Sequence, residues 1–477
     1  MTEKGIRARK QENFSEWYTQ VIEKAELIEY SAVSGCIILR PAAYAIWEKI
    51  SEFFDKKIKE KGVRNAYFPL LIPEELLKRE SKHVEGFSPE VAWVTEAGDS
   101  KLNERLAIRP TSETIIYETY KKWIRSYRDL PLLLNQWCNV VRWEFKNPVP
   151  FIRTREFLWQ EGHTAFATRE ESEKHAIEIL EEYIKVYEEI LAVPVIAGRK
   201  TESEKFAGAD ITYSIEAFVS SGKAVQAATS HCLGQNFSRA FDIKFLDKDE
   251  VSKHVWQNSW GLTTRSIGIM TMVHGDDKGL VIPPRVALNK LVIIPILTGE
   301  RKKQVIKTAQ SLKKKLQEFS PILDDREDKT PGNKYNYYEI RGIPLRIEIG
   351  PKDIQKKQLV IARRDNGEKK IVKINDVNKE VKKALEKMQK SMLLKAKKFM
   401  DESIIEIKNS EEFEKAVKNK KIAKAQFCNT IACEALVKNK YQGVKTVNIP
   451  FEQPKTIKLC FNCGKKAEKT VLFSKTY

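Results

Sequence analysis

Arginines set in apolar, strand-like sequence constrain this chain more than any other feature. Arg142, Arg153, Arg155 and Arg265 lie in short strand-loop-strand units, with Glu144, Glu156 and Glu161 close by in sequence. Taking a guanidinium out of water is costly unless an anion meets it. For any one of them two readings stay open: a structural ion pair with one of those glutamates, or contact with an anionic ligand. Four together shift the balance towards a polyphosphate site, because the guanidinium fork matches phosphate oxygens in pairs. The chain has no G-x-x-x-x-G-K-[ST] loop and no G-x-G-x-x-G turn. A nucleotide would therefore not sit on a helix N-terminus in the usual way, and arginine clamps on an antiparallel sheet are the remaining route.

Charge points the same way. Lys+Arg number 84 against 65 Asp+Glu, a net charge of +19. Such a surplus favours a polyanionic partner, nucleic acid first, although a lysine-rich surface also serves solubility alone. The 477 residues predict two to four domains at roughly 100–200 residues each. The N-terminus has no apolar h-region, and the longest apolar run, Leu291 to Leu297, is broken by Pro295. Neither a secretory signal nor a membrane span is expected. Three of the seven cysteines are scattered and four fall in the last 50 residues. That is no secreted disulfide framework, so a cytoplasmic location is expected.

Four textures follow one another. Residues 1–285 are rich in aromatic residues and hold all six histidines. They open with a predicted helix around Phe14 to Leu27 and a strand at Cys36–Leu39. Pro41 then starts a helix whose stripe Ile46, Trp47, Ile50, Phe53, Phe54 and Ile58 has period 3.6. Val63–Pro69 reads as an extended strand, Glu170–Leu191 as an amphipathic helix, and Ser203–Phe241 as short strands with glycine turns. Residues 288–375 alternate strand and helix patterns, which implies an α/β layer with a parallel or mixed sheet. Residues 377–400 read as one basic helix, packed against a domain through Val381, Leu385, Met388, Met392, Ala396 and Phe399. The last stretch is lysine-rich and carries the cysteine cluster.

Five strings hold the chemistry: Ala107–Glu113, Asn139–Glu144, Phe151–His163, Gln226–His231 and Trp260–Gly268. Together they resemble the class II aminoacyl-tRNA synthetases, and more closely the prolyl-tRNA synthetases of the archaeal and eukaryotic type, over almost the whole chain. The segment ending in Phe68-Pro69 is similar to the dimer-forming motif 1, Arg142–Phe157 to motif 2 and Gly261–Arg265 to motif 3. Thr111-Ser-Glu113 and Thr229-Ser-His231 are similar to strings that mark prolyl enzymes within the class. The resemblance implies a proline–tRNA ligase that uses ATP and magnesium, with tRNA(Pro) and L-proline as partners, a homodimer and no membrane. It implies that Arg142 bridges the α-phosphate and the proline carboxylate, that Arg265 binds the γ-phosphate or covers the adenine, and that Phe157 stacks on the adenine's other face. Arg153 would reach the outer phosphates. Glu144, Gln226, Thr229 and Thr263 would complete the ATP site, Glu144 and Gln226 through adenine or magnesium. Thr111 and Glu113 would take the proline ammonium, with Phe87, Glu90, Trp159 and His231 as slot walls. Read without the family, Phe157, Trp159 and His231 are equally ordinary core residues.

An apolar slot rejects alanine poorly, and bacterial-type relatives carry a long editing insertion between motifs 2 and 3. Here about 100 residues separate Glu156 from Trp260, so no such domain is expected. Residues 288–375 resemble the anticodon-binding domain of the subclass in Asp324–Asp328, Gly342–Pro344 and Glu348–Lys352, where exposed charged groups at strand ends would read base edges. Cys428-x4-Cys433 and Cys460-x2-Cys463 have the spacing of a four-thiolate structural zinc site with no open position. By resemblance the carboxylate of Tyr477 approaches the main domain. The expected fold is α+β: a class II antiparallel-sheet catalytic domain flanked by helices (1–285), an α/β anticodon-binding domain (286–400) and a small zinc-binding domain (401–477). The alternatives are a threonyl or glycyl sister enzyme, a non-catalytic synthetase-like RNA-binding or regulatory protein, and a zinc-ribbon nucleic-acid binder. Retention of Thr111, Glu113, Arg142, His231 and Arg265 together argues against loss of catalysis.

Overall fold

A computed structural model describes residues 5–83, 90–144, 146–455 and 458–477. The catalytic sheet is built from long, mainly antiparallel strands. Leu132–Val141, Glu156–Phe166, Trp256–Thr263 and Lys223–Gly234 lie side by side, and Ile211–Val219 pairs outside them with Lys223–Gly234. One face of this sheet is covered by the helices Phe14–Lys24, Pro41–Glu60, Arg169–Lys185 and Arg265–His274, which share its largest apolar cluster.

The stripe of the helix Pro41–Glu60 behaves as its period demands. Ile46, Ile50, Phe54 and Ile58 are fully buried within the chain, each contributing roughly 1.5–3 kcal/mol of burial. Phe54 stacks on Tyr183 at 4.7 Å and meets Trp137 and Trp260 edge-on. The stripe is thus occupied internally and offers no free face to a second subunit. At residue 162 the sheet needs glycine: a Cβ there would lie 2.0 Å from the Trp260 indole, which crosses the strand at that point.

Two strand expectations change. Only Arg64–Asn65 joins the ladder, pairing parallel with Leu134 and Asn135. The Phe68 N–H bonds the Gln136 side chain instead of a neighbouring strand, and Pro69 has no N–H to give. Residues 203–241, in contrast, hold two long strands of nine and twelve residues rather than short ones. Alternation in the second is masked by small residues, since Ala224, Ala227 and Ala228 fill buried positions that larger side chains usually mark.

The anticodon-type layer is a five-stranded mixed sheet, Ile322–Leu323, Leu291–Pro295, Leu345–Ile349, Gln358–Arg363 and Lys369–Lys373 in that order. The helix Val377–Asp401 packs Val377, Val381 and Leu385 on that sheet and Met388 and Met392 against Ala192 and Val281. The Gln389 side-chain amide donates to the carbonyls of Glu189 and Ile190, at 2.8 and 3.2 Å. Arg364 grips Asp276 through two bonds of 2.8 and 2.6 Å. Among the described residues the two layers are joined by this helix, by the ion pairs Arg364–Asp276 and Arg341–Glu26, and by backbone bonds from Leu280 to Ile340 and from Ile282 to Gly342.

The C-terminal stretch continues the catalytic sheet. The strand Lys469–Thr476 runs parallel to Lys223–Gly234, with Lys475 opposite Lys223 and Thr476 opposite Ala224. The strands Ile422–Phe427 and Ile404–Ile407 follow beyond it. Among the described residues, no helix is long and apolar enough to cross a membrane.

Candidate active site

Side chains alternate along a strand, so residues two apart leave the same face. Phe157, Trp159, Glu161 and His163 do so on Glu156–Phe166, as do Ser259, Gly261 and Thr263 on Trp256–Thr263 and Thr229 and His231 on Lys223–Gly234. The register puts Thr229, Gly261 and Glu161 in one row and His231, Ser259 and His163 in the next. These rows floor a cavity of about 230 Å³. Thr111, Glu113, Arg142, Arg153, Gln226, Arg265 and Phe206 complete its wall.

At one end the guanidiniums of Arg142, Arg153 and Arg265 converge, with Arg155 outside the cavity. Arg142 donates from Nε to the Pro110 carbonyl at 3.0 Å and lies 5.3 and 5.6 Å from the ring centroids of Trp159 and Phe157. Arg265 donates to the carbonyls of Ile152 and Gln226 at 3.0 and 3.2 Å. Burial, and then the positive charges of Arg142 and Arg153, hold the Arg265 guanidinium below its ordinary pKa. Arg155 bonds the Ser34 carbonyl and lies over Trp143 at 4.5 Å. Among the described residues, Arg142, Arg155 and Arg265 make no ion pair with a carboxylate; the ion-pair reading is set aside for these three. Carbonyl anchors fix each fork while leaving its positive charge uncompensated, which is the electrostatic condition for a polyanion site. Gly268 permits this packing, since a Cβ there would stand 2.7–2.9 Å from Ile152, Phe151 and Tyr18.

At the other end carboxylates lie deep. Glu113 and Glu161 are both almost fully buried. Glu161 accepts from Ser112 N at 3.1 Å, from the Ser112 hydroxyl, from Gln136 Nε2 at 3.0 Å, and faces His163 Nε2 at 3.1 Å. Burial pushes its carboxyl up, but the bonds from His163, Ser112 and Gln136 outweigh that and hold it below the usual range. His163 is raised: burial opposes its charge, and Glu161 and Glu113 overcome it. The two shifts favour the charged form of each partner, so the two groups offset one another. Glu113, hydrogen-bonded by the Thr111 hydroxyl, faces the cavity. His231 is different. Burial, and then the neighbouring His163, lower it to about 3, so it is a neutral wall, bonded to Thr212 at 3.0 Å and packed against the tilted Phe206 ring at 4.7 Å.

Eleven expected site residues thus meet in one cavity. Glu90 and Glu144 do not. Both are exposed beside the Trp143 turn, where Trp143 N bonds the Glu90 carbonyl at 3.2 Å, and neither lines the cavity. Their roles as slot wall and nucleotide ligand find no support in this arrangement. Phe87 lies outside the described residues. Sequence reasoning passed over Glu161, His163, Ser259 and Phe206. Strict two-residue alternation from Phe157 and Trp159 was the available signal for Glu161 and His163. Phe206, in a loop, had none.

Elsewhere two expectations for base reading change. Asp324 and Glu348 are buried and paired, Asp324 with Arg326 and Lys334, Glu348 with Arg346 and Lys369. They shape the strand ends, while Asp325, Glu327 and Asp328 stay exposed. The four C-terminal cysteine sulfurs lie within 4.8 Å of one another, with 3.9 Å between Cys433 and Cys460 and 3.7 Å between Cys428 and Cys463. A tetrahedral ion with metal–sulfur bonds of roughly 2.3 Å needs sulfurs roughly 3.8 Å apart, so the donor set and its spacing fit zinc. No disulfide joins them. Tyr477 reaches the main domain: its N–H bonds the Ala224 carbonyl, Lys223 lies over its ring, and Arg153 donates to its terminal oxygen at 3.5 Å.

Comparison with known proteins gives three family matches: tRNA synthetase class II core domain (G, H, P, S and T) over residues 93–274, anticodon binding domain over 290–384, and prolyl-tRNA synthetase, C-terminal, over 410–477. The proline–tRNA ligase of Clostridium botulinum (strain Loch Maree / Type A3) is 50% identical over 467 residues, covering 98% of this chain and 97% of that protein. The proline–tRNA ligase 2 of Bacillus cereus is 49% identical over 468 residues, covering 98% of each. Among solved structures, the prolyl-tRNA synthetase of Cryptosporidium parvum, in complex with halofuginone and AMPPNP, superposes with a TM-score of 0.95 at 48% identity over 99% of both chains.

Proposed function

The chain belongs to the prolyl-tRNA synthetases, and we propose that the cavity lined by Arg142, Arg153, Arg265 and Glu113 is where L-proline and ATP are joined. The enzyme is a proline–tRNA ligase. A proline carboxylate oxygen attacks the α-phosphorus and pyrophosphate leaves; the 3′-terminal hydroxyl of tRNA(Pro) then attacks the carbonyl and AMP leaves. Neither step needs a covalent nucleophile from the protein. Positioning and charge stabilisation suffice.

The observation that carries this assignment is the polarity of the cavity, three guanidiniums at one end and the Glu113 carboxylate at the other. Arg142, over the rings of Phe157 and Trp159, bridges the proline carboxylate and the α-phosphate. Arg265 and Arg153 take the outer phosphates. Phe157 stacks on the adenine, and Gln226, Thr229 and Thr263 hydrogen-bond the nucleotide. Glu113 and Thr111 bind the secondary ammonium, while Trp159 and the neutral His231 flank the pyrrolidine ring. Magnesium would accompany ATP and offset the charge of its phosphates. ATP–pyrophosphate exchange with single amino acids tests the whole assignment. Proline should drive it, and a preference for threonine or glycine would refute it.

We assign parts to the chain as 1–285 catalytic, 286–400 anticodon-binding and 401–477 zinc-binding, and place the enzyme in the cytoplasm. The archaeal and eukaryotic label is kept as a statement of architecture, since relatives at half identity are bacterial. Residues 157–259 form the sheet and its covering helix, which supports the absence of an editing domain. Slot size alone discriminates by only about 1–3 kcal/mol. Alanine should therefore be activated at a measurable rate, and purified Ala-tRNA(Pro) should survive incubation with the enzyme; its rapid deacylation would overturn this. We propose a homodimer on the resemblance of the segment ending in Phe68-Pro69 to the dimer-forming motif 1.

Cys428, Cys433, Cys460 and Cys463 would hold one zinc ion, which supplies cross-linking and no chemistry. Metal analysis should find one zinc per chain. Cys433→Ser should lose it and lower the unfolding temperature by roughly 5 °C or more. An unchanged metal content would contradict the assignment.

A further inference from the structure

Outside the active site, the buried side chain of Glu434 has no Lys, Arg or His partner among the described residues. Glu434 is 7% exposed, on the helix Ile431–Lys440, and its Oε1 accepts from the hydroxyls of Thr446 and Thr201 at 2.6 and 2.9 Å. Those hydroxyls lie 3.0 Å apart, and both threonines are buried. Fold stability alone does not call for such a group, because an apolar side chain would fill the space without desolvating a charge.

Thr201 opens the loop that ends at Phe206. Before the loop, the backbone is stitched to the C-terminal stretch: Arg199 pairs with Ile449, and Lys200 donates to the Val447 carbonyl at 2.7 Å. Within it, Glu204 is held by Lys445 at 3.1 Å and Lys438 at 3.8 Å. A cleft of about 110 Å³ separates the loop from the helix, lined by Glu204, Glu434, Val437, Lys438 and Lys445. Polar tethers rather than close packing therefore fix the loop across this gap. Beyond Glu204, Phe206 N donates to Thr212 Oγ1 at 3.0 Å, the oxygen that also bonds His231 Nδ1, and the Phe206 ring packs against His231, tilted by 34°.

We propose that Glu434 is a positioning residue for amino-acid binding: through Thr201 and the 201–206 loop, the C-terminal domain sets the Phe206–His231 wall against which proline binds. The inference rests on the cavity assignment above and adds that the slot is completed from the far end of the chain. A displaced wall weakens binding of the ring and leaves the phosphate end untouched.

The test uses the full-length, metal-loaded enzyme in pyrophosphate exchange. Glu434→Ala should raise KM for proline about tenfold while KM for ATP and kcat stay within about twofold. Glu434→Gln keeps the accepting oxygen and should stay within about twofold of the parent in all three. If the alanine variant fails to fold, Lys445→Met cuts the half-exposed Glu204 tether and should raise KM for proline about threefold. An unchanged KM for proline in a folded Glu434→Ala or Lys445→Met enzyme, an equal rise in KM for ATP, or a glutamine variant as impaired as alanine would overturn the proposal. A parent enzyme without proline-dependent exchange would instead refute the cavity assignment itself.

Discussion

Arg142→Ala should reduce proline-dependent pyrophosphate exchange by about 10³-fold or more while the protein remains folded. The side chain is anchored by a single carbonyl, that of Pro110, and lies against the aromatic rings of Trp159 and Phe157. It contributes to no ion pair among the described residues, so its removal breaks no structural pair. What is lost is the guanidinium over Phe157 and Trp159 that bridges the two substrates. Charge on the pentacoordinate phosphorus then develops without its nearest counter-charge, and the attacking carboxylate loses its orientation. Lysine should not rescue, because a point charge on a flexible stem cannot hold two oxygens on two substrates. Comparable exchange by the alanine variant, with an unchanged unfolding temperature, would remove Arg142 from the mechanism.

Glu113→Gln should raise KM for proline about 100-fold with a smaller effect on KM for ATP. Two carboxylates lie at this end, and their environments separate their tasks. Glu161 is surrounded by donors, and His163, itself shifted towards its charged form, neutralises it. Glu113 has the Thr111 hydroxyl and no cation among its hydrogen-bond partners. An incoming secondary ammonium therefore finds its counter-ion in Glu113. The glutamine is isosteric and keeps the Thr111 contact, so the loss reports charge and not shape. An equal rise in KM for both substrates would show instead that the substitution distorts the whole cavity.

How much of this was legible in the sequence depended on whether local pattern or long-range contact decided the outcome. The helix Pro41–Glu60 and the helix Val377–Asp401 follow directly from their apolar period, and the five-stranded layer from its alternating units. The arginines were readable as a cluster needing anions, but not their anchors: carbonyls of Pro110, Ile152 and Gln226 carry no side-chain signature. Eleven of the expected site residues converge because their strings sit on adjacent strands in register. Glu161, close to several arginines in sequence, invites an ion-pair reading, whereas in the fold its oxygens are taken by Ser112, Gln136 and His163. Phe206 and Glu434 could not be found at all. Their proximity arises only when residues more than 200 positions apart close on one another. For the same reason the C-terminal stretch, compact in sequence, did not announce that its strand Lys469–Thr476 extends the catalytic sheet.

The central claim, that one cavity seats the cyclic amino acid on Glu113 and the nucleotide on its guanidiniums, is tested most directly by a crystal structure with a non-hydrolysable prolyl-adenylate analogue. The ring nitrogen should lie within hydrogen-bond distance of Glu113, the ring between Trp159 and His231, the acyl–phosphate linkage on Arg142, and the adenine against Phe157. An analogue bound elsewhere, or in reverse with its adenine at Glu113, would contradict it.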